Sequence, residues 1–372
     1  MEKNNFVQEA EKQQVGGVAA AKHHLDSVSE HYFDAINKCD EEEFLSFKRK
    51  LEPIARFSKN PHTIVSVGVG GGLELRVLAD IFKGDKETRI IGVDLSEKAI
   101  DRAGRYLAQH NVQASLVQSS AIQMPFKYHN SEINGIVLSA VMHEIYSYVE
   151  DGKDSWKKAI EESVSTLSQE GILLLRDFAA PKITDDVKLS FLDDEVKAFY
   201  NYFRRRFRTF KTWNKEESQR IKDKRTPESS DYPPVSENDL SVVLPFGLVA
   251  EFVLHYKNYS SDYAAGSIAP FPDSWKEIDE RYLIPSPESV DVVGRNPMSP
   301  AEYQGKVIEC ANKKLEKQGY KLECVLSRVE TRPRVKENLK KHFSISHETQ
   351  DQDVLFEEIT SKMELVFKKS KK

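Results

Sequence analysis

Hydrophobic positions along the first half of the chain change period in a regular way. An apolar run, Ile64-Val65-Ser66-Val67, closes on Gly68, and a following stretch places Leu75, Leu78, Ala79 and Phe82 at i, i+3, i+4 and i+7. A second run, Ile90-Ile91-Gly92-Val93, then ends on Asp94. The runs read as strands and the stretch between them as a helix with one inward face. Helical spacing recurs over 97–109, with Ile100, Ala103 and Leu107 inward, and over 153–168, with Trp156, Ile160, Val164 and Leu167 inward. Alternation of this kind across residues 63–177 predicts an α/β fold with a parallel sheet covered by helices, and ligands bind such sheets at the carboxyl ends of the strands.

The flanking regions read differently. Residues 1–20 are polar, Gln/Glu-rich and without period, so they read as a mobile arm. Residues 21–60 turn helical, with Leu25, Val28, Tyr32, Ala35 and Ile36 on one face and Phe44, Phe47 and Leu51 on another. Residues 186–212 carry Leu189, Leu192, Val196, Phe199, Phe203, Phe207 and Phe210 at rough helical spacing, with Arg204, Arg205, Arg206 and Arg208 off that face. Those arginines could grip an anion or form a solvated face. Ten of the fifteen prolines fall between Pro227 and Pro300, which forbids uninterrupted central strands or helices there. The stretch 178–300 therefore reads as an insertion. A helix starts again at Pro300 with Tyr303, Val307, Ala311 and Leu315 inward, Gly319 closes it, and Tyr320–Ser327 follows as a strand. Residues 338–345 are expected to supply an antiparallel seventh strand, so that 301–347 completes the sheet. The tail, 348–372, reads as an amphipathic helix with a basic end that offers a partner or membrane surface.

The loop between the first strand and helix is where chemistry is expected. Gly68, Gly70 and Gly72 let the chain turn sharply and expose bare backbone to a ligand, and the helix behind them presents unpaired N–H groups. Asp94, 22 positions after Gly72, stands near the interval of about 20 at which an acid takes the ribose hydroxyls of a nucleotide. A dinucleotide loop would be G-x-G-x-x-G, and its sixth position here is Leu73. The G-x-G-x-G pattern followed by Asp94 resembles the class I S-adenosylmethionine-dependent methyltransferases. Val117–Phe126, with its Met124-Pro125-Phe126 ending, is similar to that family's adenine-contacting loop after the third strand. Ile133–Ser139 looks like its fourth strand and Glu170–Asp177 like its fifth.

The resemblance implies a Rossmann-like seven-stranded sheet at 61–177 and 301–347, a helical N-terminal segment that covers the cofactor or packs on the sheet edge, and a substrate lid inserted between strands five and six. It implies S-adenosyl-L-methionine as cofactor, held by Gly68, Gly70, Gly72, Asp94, Leu95, Ser120, Ala121 and Ser139. The chain also departs from the pattern. Ser66 stands where the family has an acid two residues before the first glycine, Ser120 replaces the Asp of the adenine loop, and Asn134 that of the fourth strand. Each keeps a hydrogen-bonding group and loses a charge. These losses leave a second reading, a silent cofactor-binding or interaction scaffold on the same fold.

Beyond Ser139 the chain reads Val141-Met142-His143-Glu144-Ile145-Tyr146. It lacks the Asn/Asp-Pro-Pro-Tyr of base N-methylating enzymes, and Cys39, Cys310 and Cys324 stand in the wrong elements for C5-pyrimidine chemistry. His143 is the base candidate because an imidazole titrates nearest neutrality, and Glu144 or Tyr146 could orient an acceptor. Alternatively His143 packs on the adenosine and Glu144 caps a helix. Arg176-Asp177 could bind an anion or pair with each other. The methyl acceptor, an O or N atom on a small molecule, protein or RNA, carries no signature here.

Composition narrows the setting. The 372 residues carry 39% hydrophobic and 30% charged residues, which suits a sizeable core. A net charge of −5 argues against coating nucleic acid. Three scattered cysteines suit neither a disulfide framework nor a zinc site. A reducing, cytoplasmic setting is expected, with no membrane span.

Overall fold

A computed structural model describes residues 37, 39–58, 63–124, 133–148, 152–178, 180, 183, 185–206, 232–236, 238–264, 298–330, 332–360 and 362–372. The predicted N-terminal arm, most of the helical cover before Asp40, the Pro125-Phe126 end of the adenine loop and the Arg/Phe stretch beyond Arg206 lie outside them.

The chain divides into two units. The first comprises residues up to Asp177, Glu302–Arg328 and Glu364–Lys372, and the second Phe178–Ala301 and Val329–Met363. The first opens with α1 (Glu41–Phe57), whose start is fixed by the Asp40 carboxylate accepting from the Glu43 N–H at 2.8 Å. Then follow β1 (Thr63–Val67), α2 (Leu73–Ile81), β2 (Arg89–Asp94), α3 (Glu97–Gln109) and β3 (Ser115–Gln118). The run continues with β4 (Ile133–Ser139), α4 (Met142–Tyr148), α5 (Gly152–Thr166) and β5 (Leu167–Phe178). β1 pairs in parallel with β2 and β4, β2 with β3, and β4 with β5. The inward helical positions are buried as the spacing requires, Leu75 and Leu78 on α2, Ala103 and Leu107 on α3, and Trp156, Ile160 and Val164 on α5.

After an excursion into the second unit the chain returns through α8 (Pro300–Leu315) and β8 (Tyr320–Glu330), and ends in β10 (Lys362–Lys371). The sheet order is β3-β2-β1-β4-β5-β10-β8. The seven-stranded Rossmann-like sheet is therefore present, with one correction. Residues 348–372 are not an amphipathic helix, because only Gln352–Thr360 (α10) is helical and Lys362–Lys371 is a strand inside the sheet. Met363, Glu364, Leu365, Val366 and Phe367 are all buried, the unbroken pattern of a strand covered on both faces. Lys369, from the supposed solvated basic end, is buried too and donates to the carbonyls of Val164 and Leu167 at 3.0 and 2.7 Å.

The second unit holds β6 (Asp186–Phe191), α6 (Asp194–Arg206), β7 (Ser241–Pro245), α7 (Phe246–Ala264), α9 (Pro333–Leu339), β9 (Phe343–Ser346) and α10. Its antiparallel sheet runs β7-β6-β9. The expected seventh strand at 338–345 thus falls in part on β9, in this small sheet. The expected helix over 186–212 splits, because Val187, Leu189 and Phe191 are buried at period two with Asp186 and Lys188 exposed between them, and helical spacing starts only at Asp194. Phe199, Tyr200, Phe203, Phe252, Tyr256 and Phe343 form its aromatic core.

Candidate active site

Because β1, β2, β3, β4 and β5 are parallel, their carboxyl ends share one rim. The glycine loop occupies its centre. Gly68, Gly70 and Gly72 have φ of 78°, 50° and 95°, in the left-handed region that side chains resist. At Gly68 a Cβ would stand 2.5 Å from Val141 Cγ2, which shows how closely the loop after β4 approaches the loop after β1. The Gly68 N–H donates to the Val93 carbonyl at 2.8 Å and the Ser119 N–H to the Asp94 carbonyl at 2.9 Å, tying the first three strand ends together.

Asp94 is buried at the end of β2. Its Oδ2 accepts from the Gly70 N–H at 3.2 Å and its Oδ1 from the Ser96 N–H at 2.9 Å. Burial pushes its carboxyl up, and these backbone donors pull against that. Each oxygen has further acceptor capacity, so the pair suits vicinal hydroxyls. Leu95 follows directly, and its carbonyl accepts from Gln118 Nε2 at 3.2 Å. Ser120 and Ala121 stand in the turn after β3, where Ser120 Oγ accepts from the Ile122 N–H at 3.3 Å. Asn37 Nδ2 reaches the loop from the N-terminal side, donating to the Gly71 carbonyl at 2.9 Å.

Across the rim, β4 delivers Ser139 and then His143. His143 is buried, and its Nδ1 lies 2.5 Å from Asp177 Oδ1 at the end of β5. The other oxygen of Asp177 accepts from the N–H groups of Met142 and His143 at 3.0 and 3.1 Å. With Asp177 ionised, a carboxylate that only accepts, Nδ1 would carry the hydrogen, and a neutral imidazole would then keep its lone pair on Nε2. Glu144 Oε1 is 3.7 Å from that Nε2. Asp177 caps α4 through the N–H groups of Met142 and His143. Tyr146 falls on α4, and its side chain lies outside the described residues.

Arg176 and Asp177 are adjacent on β5, and successive strand residues point to opposite faces. Arg176 Nη1 donates to Ser139 Oγ at 3.3 Å, and its Nε lies 3.6 Å from Glu364 Oε2. Glu364 in turn bonds Arg328 at 2.9 Å. Asn134 stands at the other end of β4, where its Oδ1 accepts from the Thr63 N–H at 3.2 Å. Its replacement of an acid is thus remote from the rim.

One residue escaped the sequence reading, and another was named without its partner. Glu74 is buried in the first turn of α2 and accepts from Ser66 Oγ at 2.6 Å. The signal was an acid four positions before Leu78, on the inward stripe. Asp177 was placed on the rim without its partner, because only the fold brings it to His143.

Residues 64–171 match the family model described as a methyltransferase domain. This part of the chain is a methyltransferase domain. No curated protein sequence matches it. Among solved structures, the chain is similar to the plantazolicin methyltransferase BpumL in complex with S-adenosylhomocysteine, at 12% identity over 98% of this chain and 99% of that one, TM-score 0.41. It is similar to the N-methyltransferase NodS of Bradyrhizobium japonicum WM9, also in complex with S-adenosylhomocysteine, at 17% identity over 43% and 74%, TM-score 0.34. It is likewise similar to the PH0226 protein of Pyrococcus horikoshii OT3, at 17% identity and TM-score 0.29, spanning 37% of this chain and 59% of that protein. The methyltransferase domain stops short of Asp177 in the family match, so the His143–Asp177 pair lies partly beyond it. Among the described residues no helix is long and apolar enough to cross a membrane.

Proposed function

We propose that the chain is an S-adenosylmethionine-dependent methyltransferase acting on an O or N atom whose proton must be removed as the methyl arrives. What supports this reading is the convergence, on one sheet rim, of a glycine loop bonded to Asp94 and an imidazole held by Asp177. The residues fit the cofactor's nucleoside end. Asp94 would take the ribose hydroxyls, the glycine loop would lie against the amino-acid end, and the turn at Ser120 and Ala121 would flank the base. When bound, S-adenosylmethionine supplies an electrophilic methyl on a sulfonium. The chain's own work is to align the acceptor and exclude water.

His143 takes the acceptor's proton at Nε2. Asp177 keeps the hydrogen on Nδ1, leaves Nε2 as the basic atom and stabilises the imidazolium that forms. Glu144, beside Nε2, orients the acceptor's donor group. A silent scaffold would have no need for a buried, aligned imidazole.

The first test is calorimetric titration with S-adenosylmethionine and S-adenosylhomocysteine, with NAD as control. Micromolar binding of both adenosyl ligands that weakens at least tenfold in Asp94→Ala is expected. Binding of NAD alone, or of nothing, would overturn the reading. With an acceptor from a substrate screen, Asp177→Asn should lower kcat at least 100-fold with cofactor affinity unchanged, because the imidazole loses its orienting acceptor. Equal turnover in both forms would remove His143 from the base role.

A further inference from the structure

We propose that Glu74 supplies the carboxylate that position 66 lacks, held beneath the glycine loop by Ser66, Ser139 and Arg176 to receive the cationic amino group of the cofactor's amino-acid end. The inference rests on the cofactor assignment above and adds a residue to it.

The geometry starts from the loop. Glu74 lies two residues after Gly72 on α2, with its side chain turned inward and buried. Its carboxyl meets groups from three strand ends. Ser66 on β1 donates to Oε1 at 2.6 Å, Ser139 on β4 bonds it as well, and Arg176 on β5 acts on it through its charge. An acid on the inward stripe of a helix is costly unless its charge is answered. Arg176 divides its charge between Glu74 and Glu364, which Arg328 also holds from β8, and the hydrogen bonds to Glu74 come from the neutral serine hydroxyls. Burial pushes the Glu74 carboxyl up to about 7, so near neutral pH its protonated and ionised forms coexist.

A cation arriving beside the glycine loop would complete this arrangement and expel the proton. Asp94 is committed to the Gly70 and Ser96 N–H groups on the hydroxyl side, which leaves Glu74 as the buried acid on the strand β1 side of the loop. The serine at position 66 then has a purpose. Its hydroxyl is short enough to leave room for the glutamate and donates to it, so the charge has moved from the strand to the helix.

Calorimetry on the full chain tests this with three probes: S-adenosylmethionine, S-adenosylhomocysteine and 5′-methylthioadenosine, which lacks the amino-acid end. Glu74→Gln should weaken the first two at least tenfold and 5′-methylthioadenosine less than twofold. In buffers of different ionisation enthalpy at pH 7, S-adenosylmethionine binding to the natural chain should release a fraction of a proton, and that release should vanish in Glu74→Gln. The exchange Ser66→Asp with Glu74→Ser returns the acid to the strand and should restore tight binding. Equal weakening of all three probes by Glu74→Gln would assign Glu74 a structural role and overturn the proposal, as would undiminished S-adenosylmethionine binding. Failure of the natural chain to bind any adenosyl probe would instead bring down the cofactor assignment, and this proposal with it.

Discussion

Glu74 and Lys369 are opposite cases of a buried charged side chain. Glu74 ordinarily titrates near 4.5 and in the fold near 7, mainly through burial. Between those values the folded state binds more protons than the unfolded chain, so the stability that Glu74 contributes falls as pH rises from about 4.5 to 7. The full cost above pH 7 is about 3 kcal/mol. Glu74→Gln should match the natural chain at pH 4.5 and exceed it by up to about 3 kcal/mol at pH 8 in chemical denaturation. A gain of the same size at both pH values would show that the carboxyl does not titrate in this window. Lys369, by contrast, satisfies two carbonyls where α5 gives way to β5. Lys369→Met should cost about 1–3 kcal/mol by leaving those acceptors buried and unpaired. At this scale the sequence singled out the glycines, Asp94 and His143, because their types and spacing are local. It did not show that Ser66 answers to Glu74 or His143 to Asp177, since those partners meet only through strand pairing.

Among the elements, period carried most of the reading and also its errors. The helices 97–109 and 152–166 were legible because three or more apolar positions repeat at one spacing against a sheet, although Leu167, expected as the last inward helical position, opens β5 instead. The terminal strand was not. Leu355, Ile359 and Met363 continue a helical spacing past Thr360, while Met363–Phe367 is an unbroken buried run that periodicity alone does not assign. The lysines after it imitate a solvated helix end. β10 lies between β5 and β8, so its loss exposes two long unpaired edges. A chain ending at residue 361 should lose the cooperative thermal transition and elute as aggregate. A soluble monomer with an unchanged circular dichroism spectrum would show that β10 is dispensable. In the second unit, Phe252 touches the rings of Phe191, Phe199, Tyr200, Phe203 and Phe343. Phe252→Ala should cost about 3–5 kcal/mol, read as a lower denaturant midpoint.

For the molecule as a whole, the consequence lies in the path of the chain. It passes from the first unit to the second and back twice, at Phe178, Glu302, Val329 and Glu364. The sequence showed the first excursion through its prolines. The second, 329–363, carries no such mark, because α9, β9 and α10 have the ordinary periods of a sheet completion. The family match to residues 64–171 likewise covers only part of what the fold requires. The glycine loop, Asp94, His143 and Asp177 all lie before residue 178, yet the sheet that holds them closes only with β8 and β10. Arg176 finds Glu364 only when the last strand arrives, and that carboxylate also holds Arg328. A fragment of residues 1–177 therefore contains every proposed catalytic group and lacks the strand that pairs with β5. It should bind neither S-adenosylmethionine nor S-adenosylhomocysteine in calorimetry and should melt without a sigmoidal transition, while the full chain does both. Cofactor binding by the fragment within tenfold of the full chain would mean that the five parallel strands form the site unaided.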